Sequence, residues 1–92
     1  EGMILSNEPG YYENGKFGIR IENLLTVRKI KKNCKFENLT LAPIDKSLIE
    51  KKLLNKSEIK WLNNYHSKVY YNLKKYMSKN DLTIFKNCCS NI

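Results

Sequence analysis

Two glutamates and an arginine are the residues whose types and spacing best fit them for chemistry. Glu8 ends an apolar run just before Pro9-Gly10, and Glu22 stands between Ile21 and Asn23 in an otherwise alternating stretch. Between them lies Asn14-Gly15, the strongest short hairpin signal in the chain. If the chain reverses near Gly15, residues 8 and 22 lie seven positions either side of it and come nearly opposite across an antiparallel ladder. Two carboxylates that close repel, and their proton affinities are driven apart unless a cation lies between them. A divalent metal ion, or a pair, resolves the conflict by taking both as oxygen ligands. Arg20 shares the strand face of Glu22, and its guanidinium could hold a neighbouring carboxylate and so fix the ligand geometry. The residues alone leave a plainer alternative open, a cross-strand ion pair at a solvated sheet edge.

Such side chains need strands to hold them. Residues 3–8 read as a strand stopped by Pro9-Gly10, after which Tyr11-Tyr12 resumes extended structure. Residues 17–27 read as a second strand, with Ile19 and Ile21 on one face and Arg20 and Glu22 on the other. The basic stretch from Arg28 to Glu37 reads as a loop or a frayed continuation. Leu39 to Ala42 reads as a short strand ended by Pro43, and 44–54 as an ordered connection. From Ser57 to Met77 the apolar stripe Ile59, Leu62, His66, Val69, Leu73 and Met77 recurs at helical period. Asn55 with Glu58 resembles a capping box, with Ser57 as an alternative cap. Residues 81–87 add one or two helical turns. The class expected is α+β, with strands in 1–44, a helical extension in 45–92, and no domain boundary, repeat or low-complexity linker between them.

Composition narrows the partners. A chain of 92 residues buries little surface on folding, but 41% hydrophobic and 11% aromatic residues belong to a folding sequence. No run approaches the ~20 apolar residues that span a bilayer, and the start lacks the basic and apolar regions of a signal peptide. Beginning on Glu1 and an apolar strand, the chain reads as a piece of something longer. Cys34, Cys88 and Cys89 offer no Cys-x-x-Cys spacing and read as free thiols of a reducing, cytoplasmic compartment. The net charge of +8 is spread out, densest at Arg28 to Lys32, and fits solvated faces. The single histidine, His66, lies on the helical stripe and reads as structural. Tyr11 and Tyr12 read as packed aromatics with a cleft-lining role as the alternative. Trp61, Tyr65, Tyr70 and Tyr71 read as packing residues of the helix.

Several segments resemble one family. Asn7-Glu8-Pro9-Gly10-Tyr11-Tyr12, followed by Gly15 to Asn23 with Arg20-Ile21-Glu22 at its end, resembles the C-terminal metal-ligand motifs of the Xaa-Pro aminopeptidases, metallopeptidases of the pita-bread fold. Leu39 to Ile44 and Trp61 to His66 resemble further segments of the long, eukaryotic-type members, and the resemblance thins after about residue 72. It implies the last antiparallel strands of a pita-bread catalytic domain followed by a C-terminal helix. It implies two divalent metal ions, usually manganese, held by two Asp, one His and two Glu. Glu8 matches the glutamate that ligates one metal and accepts a proton from the attacking water. Glu22 matches the glutamate that bridges both metals, and Arg20 an arginine that pairs with an aspartate ligand. A metal-bridging hydroxide then attacks the carbonyl before proline, releasing a free N-terminal amino acid. The helical segment implies a homodimer of the whole enzyme. No Asp pair or ligand histidine precedes Glu8, so the chain by itself is expected to be inactive.

Two other classes remain as alternatives: a pita-bread module that binds peptide or protein without turnover, and a basic nucleic-acid-binding module. The first would replace the remaining ligands, and the second would lose binding steeply with salt.

Overall fold

The computed structural model describes all of residues 1–92. It forms two compact units, Glu1–Thr40 and Leu41–Ile92. The first is built of antiparallel strands and the second of helices, an α+β arrangement.

In the first unit, β1 (Ile4–Asn7), β4 (Asn23–Ile30) and β5 (Asn33–Asn38) form one sheet in the order β1-β4-β5. The strands β2 (Gly10–Glu13) and β3 (Phe17–Arg20) form a separate two-stranded sheet. The hairpin turn between them contains Gly15, whose φ of 69° lies in the left-handed region that glycine enters without penalty. The single strand expected over 17–27 is therefore two, broken at Ile21-Glu22. Pro9 is the physical cause on the opposite side. It has no N–H for a ladder rung, and only its carbonyl is used, accepting from the Ile21 N–H at 3.0 Å.

The Arg28 to Glu37 stretch is neither loop nor frayed end. The chain reverses at Lys31-Lys32, and Ile30 pairs with Asn33 across a two-residue turn. Lys31 adopts φ 55°, the left-handed conformation such tight turns need, although lysine is not a residue that announces it. Arg28 Nε meets Glu37 Oε2 at 2.7 Å, tying β4 to β5 on an exposed face. Leu39 to Ala42 is not a strand. Leu39 N–H donates to the Leu24 carbonyl (2.9 Å), while Thr40 Oγ1 accepts from the Leu24 N–H (2.8 Å). The first is a last backbone bond of the β4-β5 register and the second a side-chain cap that ends it.

The second unit begins with the 41–54 connection, which carries two short 3₁₀ turns, Lys46–Leu48 and Lys51–Leu53. Helix α1 (Lys56–Leu73) follows, then a 3₁₀ turn at Lys74–Tyr76 and α2 (Lys79–Cys88). Asn55 Oδ1 accepts from the N–H groups of Ser57 and Glu58, and Glu58 returns a carboxylate to the Asn55 N–H, completing the expected capping box. Leu62, Tyr65 and Val69 from α1 and Cys89 after α2 form the core, flanked by Leu41, Ile44, Ile49, Phe85 and Ile92. His66 is wholly buried, as a structural histidine should be, and its Nε2 accepts from the Ile44 N–H at 3.1 Å. Lys46 Nζ donates to the carbonyls of Asn87 (2.6 Å) and Ser90 (3.1 Å) and to Ser90 Oγ, placing a cation at the negative end of α2. Trp61 stacks flat on Tyr65 at 5.5 Å while keeping about half of its surface exposed. The three cysteines are free. No helix is long and apolar enough to cross a membrane.

Candidate functional site

The two separate ladders of the first unit share one register. Ile4 pairs with Thr26 and Asn7 with Asn23 on one side of the break; Gly10 pairs with Arg20 and Glu13 with Phe17 on the other. Along this path the paired positions step evenly, so the gap between the ladders is filled by Pro9 opposite Ile21 and by Glu8 opposite Glu22. The two glutamates thus occupy facing positions where the ladders are interrupted, next to the single backbone bond from Ile21 N–H to the Pro9 carbonyl. Interruptions of this kind are where strands re-aim side chains.

Each carboxylate has one close neighbour. Ser6 Oγ donates to Glu8 Oε2 at 2.8 Å, from two residues back on the same strand run. Arg20 approaches Glu22 Oε2 at 3.4 Å through one terminal nitrogen, an exposed ion pair. The guanidinium is held still more firmly in its charged form, first by hydrogen bonding and charge interaction with Tyr12, then by the negative charges of Glu22 and Glu8. All three sequence-predicted residues therefore lie within one electrostatic neighbourhood.

Tyr12 is the residue that sequence reasoning undervalued. Its ring lies over two glycines: a Cβ on Gly10 would sit 2.7 Å from the Tyr12 hydroxyl oxygen, and one on Gly18 only 2.6 Å from Cδ1. Gly18 is the cross-strand partner of Tyr12. The signal was present in the sequence as Gly-x-Tyr facing a second glycine across the hairpin. Buried packing was expected for both tyrosines, but Tyr11 and Tyr12 are 62% and 65% exposed. A two-stranded sheet with its residues open on both faces cannot bury them.

Oxygen donors are the right kind for a hard divalent ion such as Mn²⁺ or Mg²⁺. Their number is short, since no group of three or more His, Cys, Asp or Glu residues gathers anywhere in the chain. Two carboxylates can begin a metal site but cannot complete one.

Comparison with known proteins identifies the family. Residues 32–92 match the model of the C-terminal region of peptidase M24, and residues 1–29 match metallopeptidase family M24. The chain belongs to the M24 metallopeptidases. A relative from Talaromyces marneffei, described as "Probable Xaa-Pro aminopeptidase P", is 43% identical over 90% of this chain. Another of the same description from Fusarium vanettenii is 45% identical, again over 90% of the chain. This M24 chain spans about a seventh of those relatives, 14% and 15% of their lengths. Among solved structures, the X-prolyl aminopeptidase of Caenorhabditis elegans, described as a cytosolic enzyme with a di-nuclear active site, matches 97% of the chain. The TM-score is 0.83 at 36% identity, and the match takes in 16% of that protein. Antiparallel strands followed by C-terminal helices are accordingly the M24 pita-bread arrangement in its C-terminal part.

Proposed function

We propose that this chain supplies two of the metal ligands of an Xaa-Pro aminopeptidase, which removes the N-terminal residue from peptides with proline second. The observation that carries the reading is the facing placement of Glu8 and Glu22 at the break between two ladders of one register. It gains support from relatives described as Xaa-Pro aminopeptidase P and from a C. elegans neighbour with a di-nuclear active site.

In this reading Glu8 and Glu22 would hold two divalent ions, manganese in this proposal, together with ligands contributed outside this chain. Once bound, the metals supply Lewis acidity and lower the pKa of the attacking water. Glu8 would accept the proton of that water, and Glu22 would hold metal from the facing position across the break. Arg20, already drawn to Glu22, neutralises part of the negative charge gathered there and keeps Glu22 in one orientation. The chain on its own lacks the remaining ligands and is inactive. We further propose that the whole enzyme is cytoplasmic, in keeping with the description of the C. elegans protein as a cytosolic enzyme, and that it works as a homodimer on peptide substrates, without nucleic acid or membrane.

The test is turnover of an Xaa-Pro peptide by the full-length protein with manganese. Release of the first amino acid is expected, and Glu22→Gln should abolish it. Peptide binding without turnover in the native protein would instead support a binding module. Salt-sensitive affinity for RNA or DNA in place of peptide binding would support the basic-module alternative.

A further inference from the structure

Glu22 has a charged neighbour to orient it, whereas Glu8 has none of opposite sign at contact distance. What it has is Ser6. The hydroxyl stands two residues before the carboxylate, on the same side of the extended chain, and donates to Oε2 at 2.8 Å. Ser6 is itself set by the sheet. It pairs with Leu24, whose backbone N–H and carbonyl are both engaged on the far side, by Thr40 Oγ1 and by the Leu39 N–H. The strand beneath the serine is therefore fixed, and the serine fixes the glutamate.

We propose that Ser6 is a positioning residue for Glu8, holding Oε2 so that Oε1 is the oxygen presented to a divalent cation. The inference rests on the reading of Glu8 as a metal ligand. A glutamate has three freely turning bonds, and an exposed one samples many carboxylate orientations. A hydrogen bond to one oxygen removes most of them before the metal arrives, and partners that orient ligands in this way contribute strongly to metal affinity. Serine suits the role because its hydroxyl donates without adding charge, so the carboxylate keeps its full attraction for the cation.

The experiment uses the full-length protein loaded with manganese and compares Ser6→Ala with Ser6→Thr, which keeps the hydroxyl and favours a strand. Two readouts are taken: manganese retained against a competing chelator, and kcat and KM on an Xaa-Pro peptide. Ser6→Ala is expected to weaken manganese retention by roughly 10- to 100-fold and to lower kcat more than it raises KM, with Ser6→Thr restoring most of both. Ser6 is exposed, so circular dichroism of both variants should match the native protein. Retention and kcat unchanged in Ser6→Ala would overturn the proposal, as would a Ser6→Thr variant as impaired as Ser6→Ala. Glu8→Gln separates the two levels. If it retains manganese like the native protein, the ligand reading of Glu8 fails and the proposal with it; if it loses manganese while Ser6→Ala does not, only the role of Ser6 fails.

Discussion

His66 shows how one residue couples packing to pH. Its side chain is fully buried, its Nε2 accepts a backbone N–H, and Nδ1 is enclosed without a hydrogen bond of normal geometry. Burial lowers its pKa, the positive charge of Lys46 lowers it further, and the Ser90 backbone offsets part of this. The folded state thus binds the proton less readily than the unfolded state, in which a histidine titrates near about 6.5. The sign follows from linkage: stability is full above the unfolded value and falls as pH drops below it, until the folded group also protonates. Urea unfolding of the chain should show lower stability at about pH 5 than at about pH 7.5. In His66→Gln, whose side-chain oxygen can still accept from Ile44, most of that difference should vanish. An unchanged pH dependence would assign the effect to other groups.

At the scale of elements, α1 depends on its first turn. The helix starts where Asn55 and Glu58 satisfy each other's backbone N–H groups, and no apolar residue does that work. Asn55→Ala should destabilise the chain by about 1 kcal/mol, and Asn55→Ser, which still caps, by much less. Denaturant titration resolves a difference of that size. The β4-β5 hairpin makes the opposite case. Its turn, Lys31-Lys32, contains no Gly or Asn, and the left-handed φ is imposed on Lys31 by the pairing of Ile30 with Asn33 and the ion pair of Arg28 with Glu37. Local chemistry was therefore enough to place α1 and the Gly15 turn, and not enough to place this hairpin. The same holds for Leu39 to Ala42, whose apolar residues suit a strand but meet no partner strand.

For the whole molecule, the two units bury different things. The only buried residues of Glu1–Thr40 are polar, Asn23 and Thr26, whereas Leu41–Ile92 encloses Leu62, Tyr65, His66, Val69 and Cys89. Apolar burial is the main source of stability, so the two units should not be equally stable. Hydrogen exchange on the 92-residue chain should find the amides of 62–69 the most protected and those of β2 and β3 exchanging early. Equal protection in both would count against this. Phe17 and Ile19 on β3 stand 52% and 41% exposed and Phe36 on β5 67%, exposed apolar side chains of the strand unit.

By itself the sequence determined what depends on neighbours along the chain. Turn residues around Gly15, the capping residues of α1 and its apolar stripe act through local backbone geometry and a fixed helical period, and they can be read in one dimension. The types of Glu8, Arg20 and Glu22 could be read in the same way, as could the symmetry of the two glutamates about the turn. The tertiary structure decided what depends on strands finding partners. It split one expected strand between two sheets, because Pro9 cannot donate a rung. It put Lys31 into a conformation lysine seldom adopts. It also laid Tyr12 over Gly10 and Gly18 beside Arg20 and set Ser6 against Glu8. The contact of Tyr12 with Gly18 follows from cross-strand register, and those of Ser6 with Glu8 and Tyr12 with Gly10 from the direction side chains two apart take once the chain is held extended.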